Sequence, residues 1–165
     1  MSFIVEFTFD GQLFDGAVHN VAGNGDCFWL AVSRATGLPC AMLKQGAAAC
    51  MAQARAENNW AWQAFQNYVG GAEKIGGLPA DYMVLEYLRT GRDPATLIRG
   101  KGHYAEEWMF PFASMSLGRD IVVVAFQGRG KGYRAYAPFA RAYELEPPVF
   151  VYKENTAHYR AVELG

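Results

Sequence analysis

No apolar run in this chain approaches the roughly 18 residues that a membrane-spanning helix needs, which excludes a helical span. An excess of charge is also missing: 15 Lys and Arg stand against 16 Asp and Glu, a formal net charge of -1. That balance leaves no broad basic face for sequence-independent binding of nucleic acid. Met1 to Asp10 has no basic start followed by an apolar stretch, so it does not read as a secretory signal. Low-complexity blocks, internal repeats and linkers are absent as well. Cysteine is scarce and odd in number, with 3 in all and no pair spaced C-x-x-C. Neither a disulfide framework nor a zinc ribbon fits that count, and no metal site is expected. Reduced thiols suit a cytoplasmic setting. What remains is a chain of 165 residues, 52% hydrophobic and 15% aromatic, which predicts one domain over residues 1–165.

The patterning divides the chain by character. Phe3, Val5, Phe7 and Phe9 alternate with Ile4, Glu6, Thr8 and Asp10, the period-two pattern of a strand. Asp10-Gly11 and Asp15-Gly16 are turn signals, so residues 1–19 read as a hairpin or strand pair. From Cys27 the apolar spacing becomes helical and stops at Gly37-Leu38-Pro39. Residues 40–57 read as an alanine-rich helix, Trp60 to Val69 as another ended by Gly70-Gly71, and Pro79 begins a third. Residues 91–103 suggest a loop with one helical turn, and Pro111 a kink or new start within 104–117. Asp120 to Phe126, Tyr133 to Tyr136, Val149 to Tyr152 and Tyr159 to Leu164 read as strands, with a turn at Gly128 to Gly132. Helices in the middle and strands at both ends predict an α+β fold with a mainly antiparallel sheet flanked by helices.

Three cysteines and three histidines need a place. Cys50, within Ala47 to Met51, reads as a small core hydrophobe, and nothing near Cys40 looks activating. Cys27 ends a Gly23-Asn24-Gly25-Asp26 loop and opens an apolar helix, so its sulfur lies near unpaired N–H groups and the positive end of the helix dipole. That setting lowers a thiol pKa and favours the thiolate, and the glycines allow N–H groups to be aimed at an oxyanion. A simple turn plus helix cap with an inert Cys27 fits the same residues equally well. A nucleophilic cysteine needs a base. His158 lies between two apolar strand runs; His103 is a rival in a glycine-rich loop; His19 is near Cys27 in sequence and suits the lining of a site rather than the base.

Taken together, Asn24-Gly25-Asp26-Cys27-Phe28-Trp29-Leu30-Ala31-Val32 resembles the nucleophile motif of the ovarian-tumour (OTU) cysteine proteases, roughly D-G-[DN]-C-[LF]-[FY]-R-A-[VI]. Trp108 followed by Phe112 to Leu117 and Asp120 to Val124, and the apolar strand leading to His158-Tyr159, are similar to that family's later blocks. The three blocks fall in the family's order over residues 21–164. Departures are clear: Asn24 replaces an aspartate, Leu30 an arginine, and Arg160 stands where many relatives carry the Asp or Asn that orients the histidine. An arginine cannot accept the imidazole N–H. Asn20 is the first substitute, with Asp15 second and Asn155 third. Such departures resemble a divergent member of viral or bacterial-effector origin.

The resemblance implies a papain-like fold and a thiol protease that needs no cofactor. Cys27 attacks, His158 is the base, Asn20 orients it and Asn24 belongs to the oxyanion loop. Its substrates would be conjugates of ubiquitin or a ubiquitin-like protein, cut after a terminal glycine by a monomer in the cytoplasm, or in the host cytosol for a virus or effector. Trp29, Trp108 and Tyr159 are the candidate walls of a glycine-selective channel, and Glu106, Glu107 and Glu154 candidate acidic lip residues, although core and surface roles are more ordinary for them. A viral polyprotein-processing proteinase with the same site, and a catalytically inactive ubiquitin-binding module, are the alternatives.

Overall fold

The computed structural model describes residues 2–23, 25–75, 79–100, 107–155 and 158–165, with side chains left out at 72–75 and 79–82. The N-terminal alternation forms β1 (Ser2–Phe9) and β2 (Gln12–His19), joined by a two-residue turn in which Asp10 and Gly11 both have positive φ. That turn geometry matches the twist of the strands it joins. Asp15-Gly16, the second turn signal, instead lies inside β2, opposite Glu6 and Val5. Gly16 is there for space: a Cβ at this position would stand 2.7 Å from Val162 Cγ1 on the neighbouring strand.

The helical segment follows. α1 (Cys27–Thr36) ends where Gly37 takes a left-handed conformation and its N–H bonds the Ser33 carbonyl. α2 (Cys40–Glu57) starts after Pro39 and ends at Asn58, again left-handed. α3 (Trp60–Ile75) runs through Gly70-Gly71 rather than stopping there. Two glycines cost about 1 kcal/mol each inside a helix, but Ala61, Trp62, Phe65 and Val69 bury one face of α3 and hold it. α4 (Pro79–Arg89) and the short α5 (Ala95–Arg99) lead to a 3-10 turn at Glu107–Met109 and α6 (Phe110–Leu117), with Pro111 in its first turn. Proline fits there because no intrahelical N–H is required.

β3 (Ile121–Phe126), β4 (Tyr133–Tyr136), β5 (Val149–Lys153) and β6 (Tyr159–Leu164) complete one sheet in the order β1-β2-β6-β5-β3-β4. The sheet is mixed, which corrects the expectation of a mainly antiparallel one: β3 and β5 are parallel, at the centre of the sheet's C-terminal half. The chain turns tightly from β3 into β4 and must then cross back to β3's other edge, so β5 runs in the same direction as β3. Residues 137–148 make that return, fastened by buried Asp120, which accepts from Arg141 Nε at 2.6 Å and from the backbone N–H of Ala142 and Tyr143. The sheet curls until its edge strands β1 and β4 pack together, close to a barrel.

Both faces of this sheet are covered, so β3 and β5 are apolar at nearly every position. Val122, Val124, Phe150, Tyr152 and Val162 point into the curl, against Val5, Phe7 and Val18. Ile121, Val123, Val149, Val151, Tyr159 and Ala161 point outward, beneath α1, α2, α3 and α6. α1 lies directly on β5 and β6, with α2 behind it. This arrangement carries the start of α1 to the turn between β5 and β6.

Candidate active site

Cys27 is the first residue of α1 and is 1% exposed. Gly25, at φ 91, bends the chain into the helix with a conformation that side chains resist. The Tyr159 N–H, at the head of β6, donates to Cys27 Sγ at 3.4 Å. The N–H groups of Cys27 and Phe28 also bond the sulfur and favour its charged form. Burial nevertheless wins, with Asp26 adding a like-charge penalty, and the Cys27 thiol sits above its ordinary value. That reverses the expectation from sequence. The helix start and its N–H groups are present, but the sulfur has lost more by leaving water than they return.

His158 immediately precedes Tyr159, so the residue that bonds Sγ is its chain neighbour. A tight turn fixes it: Asn155 Oδ1 accepts the His158 N–H at 3.0 Å, and the His158 carbonyl accepts the Glu154 N–H at 3.0 Å. Nε2 of the imidazole stands 3.3 Å from Asn20 Oδ1. The ring's other edge faces the loop that leads to Cys27, where a Cβ on Gly23 would lie 3.7 Å from Cε1 and 3.8 Å from Nδ1. When Nε2 carries the proton and donates to Asn20, Nδ1 is the bare nitrogen, on the side of the nucleophile loop. Two strands supply this geometry: β2 delivers Asn20 just past its end, and β6 begins just after His158.

The structure therefore brings Cys27, His158 and Asn20 together. Asn155 Oδ1 braces the His158 backbone. Asp15 is exposed and lies on β2 away from the imidazole, beside Glu6. His19 pairs with Glu163 on β6 at 2.9 Å. Asn24, His103 and Glu106 lie outside the described residues.

Trp29, Trp108 and Tyr159, the candidate channel walls, are all core side chains. Trp29 meets Phe28 edge-on, Trp108 meets Phe65, and Tyr159 packs on Phe28 and Phe110. Tyr159 contributes its backbone N–H to the site. Their aromatic mass explains both the burial and why they look like wall residues in sequence. Glu107 is paired with Lys153 at 3.2 Å rather than free at a lip.

Two features escape a reading of the sequence. Arg160 does not face the ring as an orienting group would; it grips Glu154 with two bonds, at 3.0 and 2.8 Å. Glu154 is thereby held below the usual carboxylate range, with its Oε2 3.7 Å from His158 Nε2. The second is Lys44 on α2, whose Nζ lies 2.5 Å from Asp26 Oδ1. A signal for it exists: Lys44 shares the helical stripe of Ala47, Ala48 and Met51, and a charge within an apolar stripe requires a buried partner. Cys40 and Cys50 are half-buried free thiols, both raised by burial. Among the described residues, no group of three or more His, Cys, Asp or Glu is placed to hold a metal ion.

No family profile and no curated protein sequence matches the chain. Solved structures do. The chain is similar to the viral OTU domain protease from Dera Ghazi Khan virus, with a TM-score of 0.54 at 14% identity, covering 91% of this chain and 81% of that one. It is also similar to an OTU deubiquitinase from Wolbachia pipientis wMel, with a TM-score of 0.49 at 13% identity, covering 88% and 86%. The viral likeness establishes an OTU-like fold.

Proposed function

We propose that the protein is an OTU-type cysteine protease that cleaves bonds after the C-terminal glycine of ubiquitin or a ubiquitin-like protein. The observation that carries this reading is His158: its Nε2 edge meets Asn20, its Nδ1 edge turns to the Cys27 loop, and the next residue bonds Sγ. That is the order orienter, base, nucleophile, which is recognised by geometry rather than by position in the chain.

Asn20 holds the imidazole in the tautomer whose Nδ1 accepts the thiol proton. Sγ then attacks the glycine carbonyl, and a C–S bond forms as the carbonyl π-pair moves onto oxygen. N–H groups at the start of α1 stabilise that oxyanion. The tetrahedral centre collapses, the C–N bond breaks, and the imidazolium gives its proton to the leaving lysine amine. Water, deprotonated by His158, hydrolyses the thioester and regenerates the thiol. The raised resting thiol fits this order of events, because the charge forms only when the base is in place to take the proton.

A catalytically inactive binding module is the second reading, favoured by the burial of Cys27. The test is cleavage of ubiquitin chains and reaction with a ubiquitin-based electrophile probe, followed by intact mass. Wild type forms the adduct and Cys27→Ala does not. A wild-type protein that ignores both substrates at high enzyme concentration, while binding ubiquitin by calorimetry, sinks the protease reading in favour of the module.

A further inference from the structure

Lys44 is only 7% exposed, and its charge is met by Asp26 Oδ1 at 2.5 Å and the Gly100 carbonyl at 3.2 Å. A buried ion pair returns little net stability, since both charges leave water and an apolar pair often serves as well. The placement of this one calls for another reason. Asp26 occupies the N-cap position of α1, where an aspartate ordinarily turns its carboxylate back onto the N–H groups of the first turn. Here its backbone, at φ -99 and ψ 10, lies outside the extended conformation of a capping residue, and it makes no such bond. Its carboxylate is drawn across to α2, while the N–H groups of Cys27 and Phe28 face the sulfur.

Resting on the reading of Cys27 as nucleophile, the geometry points to Lys44 as a positioning residue that fixes the Asp26 carboxylate toward α2 and offsets its charge beside the start of α1. The N–H groups there serve the thiolate and the oxyanion. Without the lysine, the carboxylate one residue from the nucleophile loses the ammonium that meets it at 2.5 Å. A less compensated negative charge there opposes both the thiolate and the oxyanion. Asp26 already acts against the thiolate from its present position. The Gly100 carbonyl holds Nζ from a third segment, so the pull on Asp26 has a fixed direction. Among the described residues, the imidazole of His158, on the β5–β6 turn, also faces the nucleophile loop, with Glu154 and Arg160 behind it. Arg99 and the Cys40 thiol line the cavity that Asp26 and Lys44 share.

The test is the pH dependence of Cys27 alkylation by iodoacetamide in the full chain, read on the Cys27 peptide by mass spectrometry. Lys44→Met should move the midpoint upward by about half a pH unit, roughly a threefold slower reaction at neutral pH. Asp26→Asn should move it downward, and Asp26→Asn with Lys44→Met should return it to the wild-type value or below. Shifts of opposite sign are not what mere loosening of the loop would produce. A folded Lys44→Met protein with an unmoved midpoint, or a double variant as high as Lys44→Met, overturns the assignment. If Lys44→Met fails to fold, Asp26→Asn decides alone, and an unmoved or raised midpoint overturns it. The assay needs no protein substrate, so a chain that shows these shifts and cleaves no ubiquitin conjugate refutes the protease proposal and not this one.

Discussion

His158 Nε2 and Asn20 Oδ1 stand 3.3 Å apart although 138 positions separate them in the chain. Asn20 leaves the end of β2 and His158 enters β6, and these two strands are hydrogen-bonded neighbours, with His19 opposite Ala161. The pairing register of two strands therefore sets the orientation of the ring. If that contact fixes the tautomer, Asn20→Ala lowers kcat by about tenfold or more with KM little changed, and Asn20→Asp keeps most activity. A loss of less than about threefold in Asn20→Ala would mean that the dyad works unassisted.

The base is testable by comparing two histidines. His158→Ala should abolish reaction with the ubiquitin probe, whereas His103→Ala should retain it within about twofold. Equal losses in single-turnover assays would refute the assignment of His158.

Arg160 and Glu154 form a pair whose strength depends on pH in a known direction. The Glu154 carboxyl is held below its ordinary value of 4.5, first by the Arg160 hydrogen bonds. A carboxylate lowered in the folded state adds stability above its unfolded value, and that gain disappears as pH falls through the folded value. Arg160→Met should therefore lower Tm at pH 7, by an amount that shrinks as the pH falls below 4.5. Because the pair is partly exposed, the difference at pH 7 is small and should shrink further in high salt.

The buried Cys27 thiol titrates in the opposite sense. Its folded value lies above 9.0, mainly through burial. The corresponding stability is complete below the unfolded value and is lost as pH rises through the folded one. Thermal melts between pH 7.5 and 10.5 should show a smaller alkaline decline for Cys27→Ala than for wild type. Identical slopes would mean that the thiol ionises over the same pH range in the folded and the unfolded chain.

Gly16 offers a test of the fold itself. A Cβ there would meet Val162 Cγ1 at 2.7 Å, and Val162 is a stiff, buried, β-branched side chain. Gly16→Ala should cost about 1–3 kcal/mol by denaturant unfolding, and Val162→Ala in the same chain should recover part of it. A Gly16→Ala protein as stable as wild type would mean that β2 and β6 are less closely packed than described.

Much of the secondary structure was legible because it is local. Alternation marks β1, a helical stripe marks α1, and Gly37 and Pro111 mark a stop and a start whose causes lie in their own backbones. The misreadings also have local causes. Gly70-Gly71 looks like a helix stop because glycine is a poor helix former, yet the buried face of α3 outweighs it. Asp15-Gly16 looks like a turn because the dipeptide is common in turns, yet Gly16 answers to Val162 on another strand. Trp29, Trp108 and Tyr159 look like site walls because large aromatics serve both purposes, and only packing separates them.

By itself, the sequence singled out the candidates: one cysteine after a glycine loop at a helix start, and one histidine before an apolar strand. Tertiary structure decided the rest. It set Asn20 beside the His158 ring through strand pairing, tied Arg160 to Glu154, turned the Asp26 carboxylate toward Lys44, and raised the Cys27 thiol by burying it. The division has a physical reason. Backbone conformation and side-chain type act over a few residues, whereas burial and charge depend on whatever the fold brings within a few ångströms, however distant in the chain.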